Sequence, residues 1–213
     1  MSLIIPIFPL QLVVFPGSKY PLHIFEPRYQ TLIRESIKNN TGFGIVLKYN
    51  YRISDVCTYV KVNKVLKRYL TGESDIVVEG ISRYLINNIQ IHPVGYVVAN
   101  AESYDDEDDF ADHNLEIQLI ILFEELLARL DYKLPEEFWV NLKDSPKKSF
   151  KIAEKAGLSL LQQQELLILR NENIRLKFLI EHLNNLEKKY TSEATLKNMI
   201  MQDGFLNEKK DSH

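Results

Sequence analysis

VKVNKVLKRYLTGESDIVVEGISRYLI, residues 60–86, is the stretch whose reading decides the fold. Its opening belongs to an alternating run, Thr58–Tyr69. Val60 and Val62 fall on one face of an extended chain and Val65 on the other, so the alternation changes phase. An extra residue in a strand does this, which predicts a bulge near Asn63–Lys64. Asp75–Glu79 and Ser82–Gln90 then flank Gly80, read as a hairpin or bulge position where glycine tolerates positive φ.

On either side lie more short strands. Leu3–Phe8 is an apolar run closed by Pro9, Lys19–Ile24 follows a turn at Pro16–Gly17, and Gly44–Tyr49 and Val94–Ser103 complete the set. One helix interrupts them. Pro27 suits its first turn, where no N–H is needed, and Tyr29, Ile33 and Ile37 recur at four-residue spacing until residues 39–42, Asn-Asn-Thr-Gly, stop it. Many short strands with one inserted helix predict a small, partly closed barrel rather than a parallel sheet.

After an acidic run, Asp105, Asp106, Glu107, Asp108, Asp109 and Asp112, the period changes to that of helices. Like charges at this density repel and stay hydrated, so the run reads as a solvated linker; with no glycine to turn it, it lacks the pattern of a Ca²⁺ loop. Leu115, Leu119, Leu122 and Leu126 mark a stripe that Ile120, Ile121, Phe123 and Leu127 widen, up to Leu134–Pro135. A short helix with Trp139 follows, Glu136–Leu142. Ser145–Pro146 reads as a helix start with Gly157 as the matching stop, and Ser159 as the next cap. Asn171 or Asn173 opens a last helix with Ile174, Phe178, Leu179, Leu183 and Leu186 inward. The polar tail, Asp203–His213, is expected to fray.

The 213 residues suffice for one ordinary domain or two small ones, and 45% apolar with 26% charged residues is the balance of a soluble globular chain. Cys57 is the single cysteine, which points to a reducing compartment; no apolar run spans a bilayer, and MSLIIPIFPL has no basic n-region. A cytoplasmic protein without membrane contact is expected. The net charge of −3 is uneven. Residues 1–104 carry 11 Lys+Arg against 7 Asp+Glu, or +4, and residues 105–213 carry 15 against 22, or −7. An excess of +4 is too small to argue for nucleic acid. Lys61, Lys64, Lys67 and Arg68, interleaved with Tyr59 and Tyr69, read as a strand edge whose lysines discourage strand addition, with a phosphate-binding stripe as the alternative.

Enzyme signatures are missing. There is no GxxxxGK[ST], no GxGxxG after a strand and no GxSxG. His23, His92, His113, His182 and His213 lack metal-ligand spacing; His23 reads as a core or rim residue and His182 as a surface one. Cys57 reads as a small buried hydrophobe. No metal, cofactor or catalytic residue is expected. What stands out is a proline-punctuated opening: Ile5–Leu10, Val14-Phe15-Pro16-Gly17, then Pro21–Tyr29. Either this segment wraps a barrel that Phe25 plugs, or its apolar side chains stay exposed and hold peptide.

At these residues the sequence resembles the amino-terminal domain of the Lon protease family in its stand-alone form. The blocks that carry the resemblance are PLQLVVFPG (Pro9–Gly17), PLHIFEPRY (Pro21–Tyr29), GFGIVL (Gly42–Leu47) and the quoted stretch 60–86, with the step from VEG to Arg83 especially typical. They run in order from Ile4 to about Val98, and the helical part matches in pattern to about Leu186. The resemblance implies an α+β fold: a PUA-like β pseudo-barrel with one inserted helix over residues 1–104, an acidic linker over 105–113, a C-terminal helical bundle over 114–202 and a flexible tail over 203–213. In full-length Lon that module precedes an ATPase and a Ser–Lys protease, for which this chain has no phosphate loop and no room. The function implied is bacterial protein quality control without catalysis: recognition of unfolded or exposed apolar protein segments, or of a protein partner. Phe15, Pro16, Tyr20, Leu22, Phe25 and Tyr29 are the expected contacts, with Arg28, Glu79 and Arg83 fixing polar groups or pairing with one another. An RNA-binding PUA-like module is the alternative, and fold likeness alone is a weak warrant for it.

Overall fold

A computed structural model of the chain describes residues 3–107, 110–189, 197, 200 and 201. The chain divides into two compact units, Met1–Asp105 and Asp106–His213.

The first unit holds β1 (Leu3–Leu10), β2 (Lys19–Ile24), α1 (Pro27–Asn39), β3 (Phe43–Tyr49), β4 (Arg52–Arg68), β5 (Ser74–Ile91) and β6 (Val97–Ser103). The sheet order is β2-β5-β4-β3-β1-β6, and β6 also pairs with β5, so five strands close into a ring and β2 is added outside it. All pairings are antiparallel except β1 with β3. The β4–β5 hairpin is the frame. Its strands are 17 and 18 residues long, and the lower part of β5 (Ser74–Glu79) pairs with β2 while its upper part, from Tyr84, pairs with β6. A strand that changes neighbour must bend, and bulges supply the bend. The register shifts between Tyr59 and Val60, opposite Ser82 and Gly80, and again between Val62 and Lys64, where the sequence predicted a bulge. Because the bulge restores the phase, Val62 and Val65 both pack against the cluster that contains Val60.

The two faces of the sheet bury separate clusters. Ile5, Ile7, Val46, Cys57, Ile86, Ala99 and Ala101 form one; Phe8, Phe43, Ile45, Val60, Ile76 and Val78 form the other with Tyr29, Leu32 and Ile33 of α1. Alternate residues of one strand serve opposite clusters, as the twofold period of a strand requires. Burial pushes the Cys57 thiol up to about 12, against weaker backbone hydrogen bonds, so it is the inert hydrophobe expected. Gly80 needs no positive φ. It is a glycine because a Cβ there would lie 2.3 Å from the Phe15 carbonyl oxygen. The Pro16–Gly17 turn is stitched to it: Gly17 N–H donates to the Gly80 carbonyl and Gly80 N–H to that of Ser18.

The second unit contributes α2 (His113–Arg129), α3 (Glu136–Asp144), α4 (Lys148–Ala153), α5 (Leu160–Ile168) and α6 (Glu172–Lys189). Leu119, Phe123, Leu126 and Leu127 are buried as expected, whereas Ile121 is exposed. The first helix ends at Arg129, short of Leu134–Pro135. Ser159 caps α5 in a full capping box with Gln162. Asn171 caps α6 by accepting from Ile174 N–H, and Asn173 instead accepts from Asp112 N–H. Three expectations fail here. Ser145 does not cap α4, which starts at Lys148 and has its Ser149 N–H satisfied by the Glu172 carboxylate. Ile174 faces outward, and Arg175 with Leu176 takes its place inside. His182 is not a free surface residue; its ring meets Gln162 and the Ala156 carbonyl.

The acidic run is not uniformly solvated. Asp106 has a nearly buried side chain and pairs bidentately with Arg175, at 2.8 and 2.6 Å, while Glu107 pairs with Arg170. Arg175, fully buried, also bonds Glu172 and Ser149 and lies over the Phe150 ring. Burial pulls the Arg175 pKa down, but hydrogen bonds and charges from Asp106 and Glu172 outweigh it, and the net shift is upward. Asp108, Asp109 and the expected tail at 203–213 lie outside the described residues.

Candidate functional site

The proline-punctuated segment is mostly core. Phe15, Tyr20 and Tyr29 are buried, at 1, 5 and 7% exposure, so they are not the contact surface expected of them. Tyr29 stacks on Phe8 with ring centroids 3.9 Å apart, and burial raises its pKa. Pro16 and Leu22 are half-buried. Phe25 does not plug the barrel; it is exposed, beside the His23 ring. The prolines do not end the strands: Pro6 and Pro9 lie within β1 and Pro21 within β2, and Tyr20 and Tyr29 pack into the cluster that holds Phe8 and the buried face of α1. Arg28, Glu79 and Arg83 do not form one cluster. Arg28 pairs with Glu26, Glu79 accepts from the Asn63 amide at 2.8 Å, and Arg83 is buried over the Tyr104 ring.

The concave surface of this unit lies elsewhere, between α1 and the distal β4–β5 hairpin. A cleft of about 440 Å³ is lined by Gln30, Ile33, Arg34, Ile37 and Lys38 of α1 and by Val65, Arg68 and the turn at Tyr69–Ser74. A second hollow of about 220 Å³ shares Ile37 and Val65 with it and continues past Asn40 and Thr41 along Lys61–Val65. Five consecutive strand residues, whose side chains alternate between faces, line one hollow only where it meets the strand's edge. The pairing shows that this edge is open. β3 is in register with β4 no further than Val60, whereas β5 follows β4 to Arg68, so residues 61–68 have a strand on one side only.

Why the helix stands there is local. Pro27 starts α1, Asn40 in the left-handed region (φ 52°) ends it, and its buried face is Tyr29, Leu32, Ile33 and Ser36. Ile37 is one turn beyond Ile33 but has run past the cluster, and stays 39% exposed in the cleft. Arg34 and Lys38 flank it at i, i+4 spacing. The sequence reading put Ile37 inward and passed over both cations; their spacing beside Ile33 and Ile37 was the signal available. The Lys61–Arg68 stripe was noticed, and its strand-edge reading fits the open side of β4.

The mouth of the cleft carries a second cluster. His23 Nδ1 is 2.7 Å from Asp75 Oδ1 and its Nε2 is 3.6 Å from Glu73, while the Tyr69 hydroxyl donates to Asp75 at 2.7 Å. Hydrogen bonds from His23 and Tyr69 hold the Asp75 carboxyl below its ordinary range. Lys67 Nζ sits 4.4 Å from the Tyr69 ring centroid. No group of three or more His, Cys, Asp or Glu side chains poised for a metal occurs among the described residues, and no described helix is long and apolar enough to cross a membrane. The arrangement offers an apolar floor, a strand edge and a cationic rim, which suits binding.

Comparison with known proteins identifies the family and the fold. The family model of the ATP-dependent protease La (LON) substrate-binding domain matches residues 4–185. The structure resembles that of a Lon N-terminal domain protein from Xanthomonas campestris, with a TM-score of 0.66 at 23% identity over 84% of this chain and 98% of that one. It resembles the N-terminal domain of the Mycobacterium avium complex Lon protease with a TM-score of 0.64 at 18% identity, over 85% and 98%. Lon protease 2 of Myxococcus xanthus is 25% identical over 134 residues, which is 59% of this chain and 16% of that protein's length.

Proposed function

This chain belongs to the ATP-dependent protease La (LON) substrate-binding domain family, and from that footing we propose that it is a non-enzymatic recognition module that holds polypeptide segments in the cleft between α1 and β4. It has the Lon N-terminal domain fold, with six helices and a six-stranded sheet among the described residues. We read its ring of strands as a PUA-like pseudo-barrel, its helical unit as a bundle, and its setting as cytoplasmic protein quality control.

The observation that carries the reading is the open edge of residues 61–68 beside an apolar-floored cleft. An incoming segment would bury apolar side chains on Ile37 and Val65, contributing about 25 cal/mol per Å² before ordering costs. Main-chain hydrogen bonds to β4 would add affinity without demanding a sequence. The test is titration of the full chain with a permanently unfolded polypeptide. Saturable binding that Ile37→Ser weakens several-fold, without loss of stability, is the expected outcome. Absence of saturation, or binding that Ile37→Ser leaves untouched, would refute the site.

A further inference from the structure

We propose that the cleft selects acidic segments: extended stretches in which apolar residues alternate with Asp or Glu, added as a strand to the open edge of β4. This rests on the cleft being a polypeptide site and names what that site prefers.

The rim is the first observation. Arg34, Lys38, Lys61, Lys64 and Arg68 all line the two hollows, and none has a carboxylate within salt-bridge distance among the described residues. The nearby acids are held by other groups: Glu73 lies against His23, Glu79 accepts from Asn63, and Glu35 accepts from the Tyr96 hydroxyl. Against these five cations the two hollows are lined by one carboxylate, Glu73, so the cleft is net positive around an apolar floor, and its complement is negative charge around apolar side chains.

The strand edge is the second observation. Lysines on an exposed edge oppose addition of a neutral or basic strand, because they would be desolvated or repelled. An acidic strand reverses that sign, so the same lysines reject most segments and admit one class. Alternation follows from strand geometry. Side chains on one face of the added strand meet Ile37 and Val65, and those on the other face the solvent and the lysines.

A nucleic acid has the charge but not the rest. Unstacked bases need open aromatic faces. Tyr69 is the aromatic residue lining the cleft, its ring covered by Lys67 and its hydroxyl bonded to Asp75.

The experiment titrates the full chain with fluorescent peptides that share one set of apolar residues and alternate them with Glu, Ser or Lys, and with a single-stranded oligouridine. The Glu peptide should bind about tenfold or more tightly than the Ser peptide, and the gap should close between about 50 and 300 mM salt. The triple variant Arg34→Gln, Lys38→Gln, Arg68→Gln, all at exposed positions, should bring the Glu and Ser peptides to equal affinity. N-methylation of alternate amides in the Glu peptide should abolish binding if it pairs as a strand. Equal binding of the Glu and Ser peptides overturns the selectivity and leaves the polypeptide site standing; binding of neither overturns both. Oligouridine binding more tightly than the Glu peptide overturns it in favour of nucleic acid, and an N-methylated peptide binding as well as the parent overturns strand addition.

Discussion

Gly80 has no side chain because the Phe15 carbonyl occupies the space a Cβ would need. The neighbour is backbone, held in turn by the Gly17 and Ser18 hydrogen bonds, so it cannot swing aside. Gly80→Ala should therefore lower stability by about 1–3 kcal/mol, read as a shift in the denaturation midpoint, whereas an exposed change such as Gln11→Ala should shift it little. At the cleft mouth, Asp75 is the residue with a pH signature. Its folded pKa is held below the ordinary value of 3.8 by bonds from His23 and Tyr69. A depressed carboxylate contributes stability above its unfolded pKa and loses that contribution as the pH falls through the folded one. Asp75→Asn should thus lower stability at neutral pH and flatten its decline below about pH 4, measured by denaturation across that range.

Among the elements, α5 shows a local rule carried through. Ser159 and Gln162 cap one another's free N–H groups, and Ser159→Ala should cost about 1 kcal/mol, measurable by denaturation, with Ser159→Gly costing less. Such caps are legible from sequence because both partners lie within one turn. The α4 start was misread for the opposite reason. Its N–H partner is Glu172, 23 residues on, which no local spacing announces. The bulge at Asn63–Lys64 was legible, since the switch in alternation is written in Val60, Val62 and Val65, whereas Gly80 marks a register shift inside one strand, β5, and no hairpin. That β4 and β5 run on as strands of 17 and 18 residues was not legible, because the continuity depends on which neighbour each half finds.

At the scale of the molecule, Arg175 organises the helical unit. It ties Asp106 to Glu172 and Ser149 from a fully buried position. Arg175→Met would leave the buried Glu172 carboxylate without its cation and Asp106 with Lys147 alone, and should destabilise that unit by about 3–5 kcal/mol. Hydrogen exchange should show lost protection in α4 and α6, with β3, β4 and β5 little changed; uniform loss throughout would contradict the assignment.

The sequence by itself determined the mixed α and β content and the family, because alternation, helical spacing and ordered motif blocks are local or collinear signals. Only the tertiary structure decided which of the conspicuous residues are surface. Phe15, Tyr20 and Tyr29 went inside, and Arg34, Ile37 and Lys38 were left lining a cleft. The reason is that exposure belongs to pairs of elements. Where β3 stops on β4 and where α1 outruns its apolar cluster are facts about contacts between distant segments, and no stretch of chain encodes them alone.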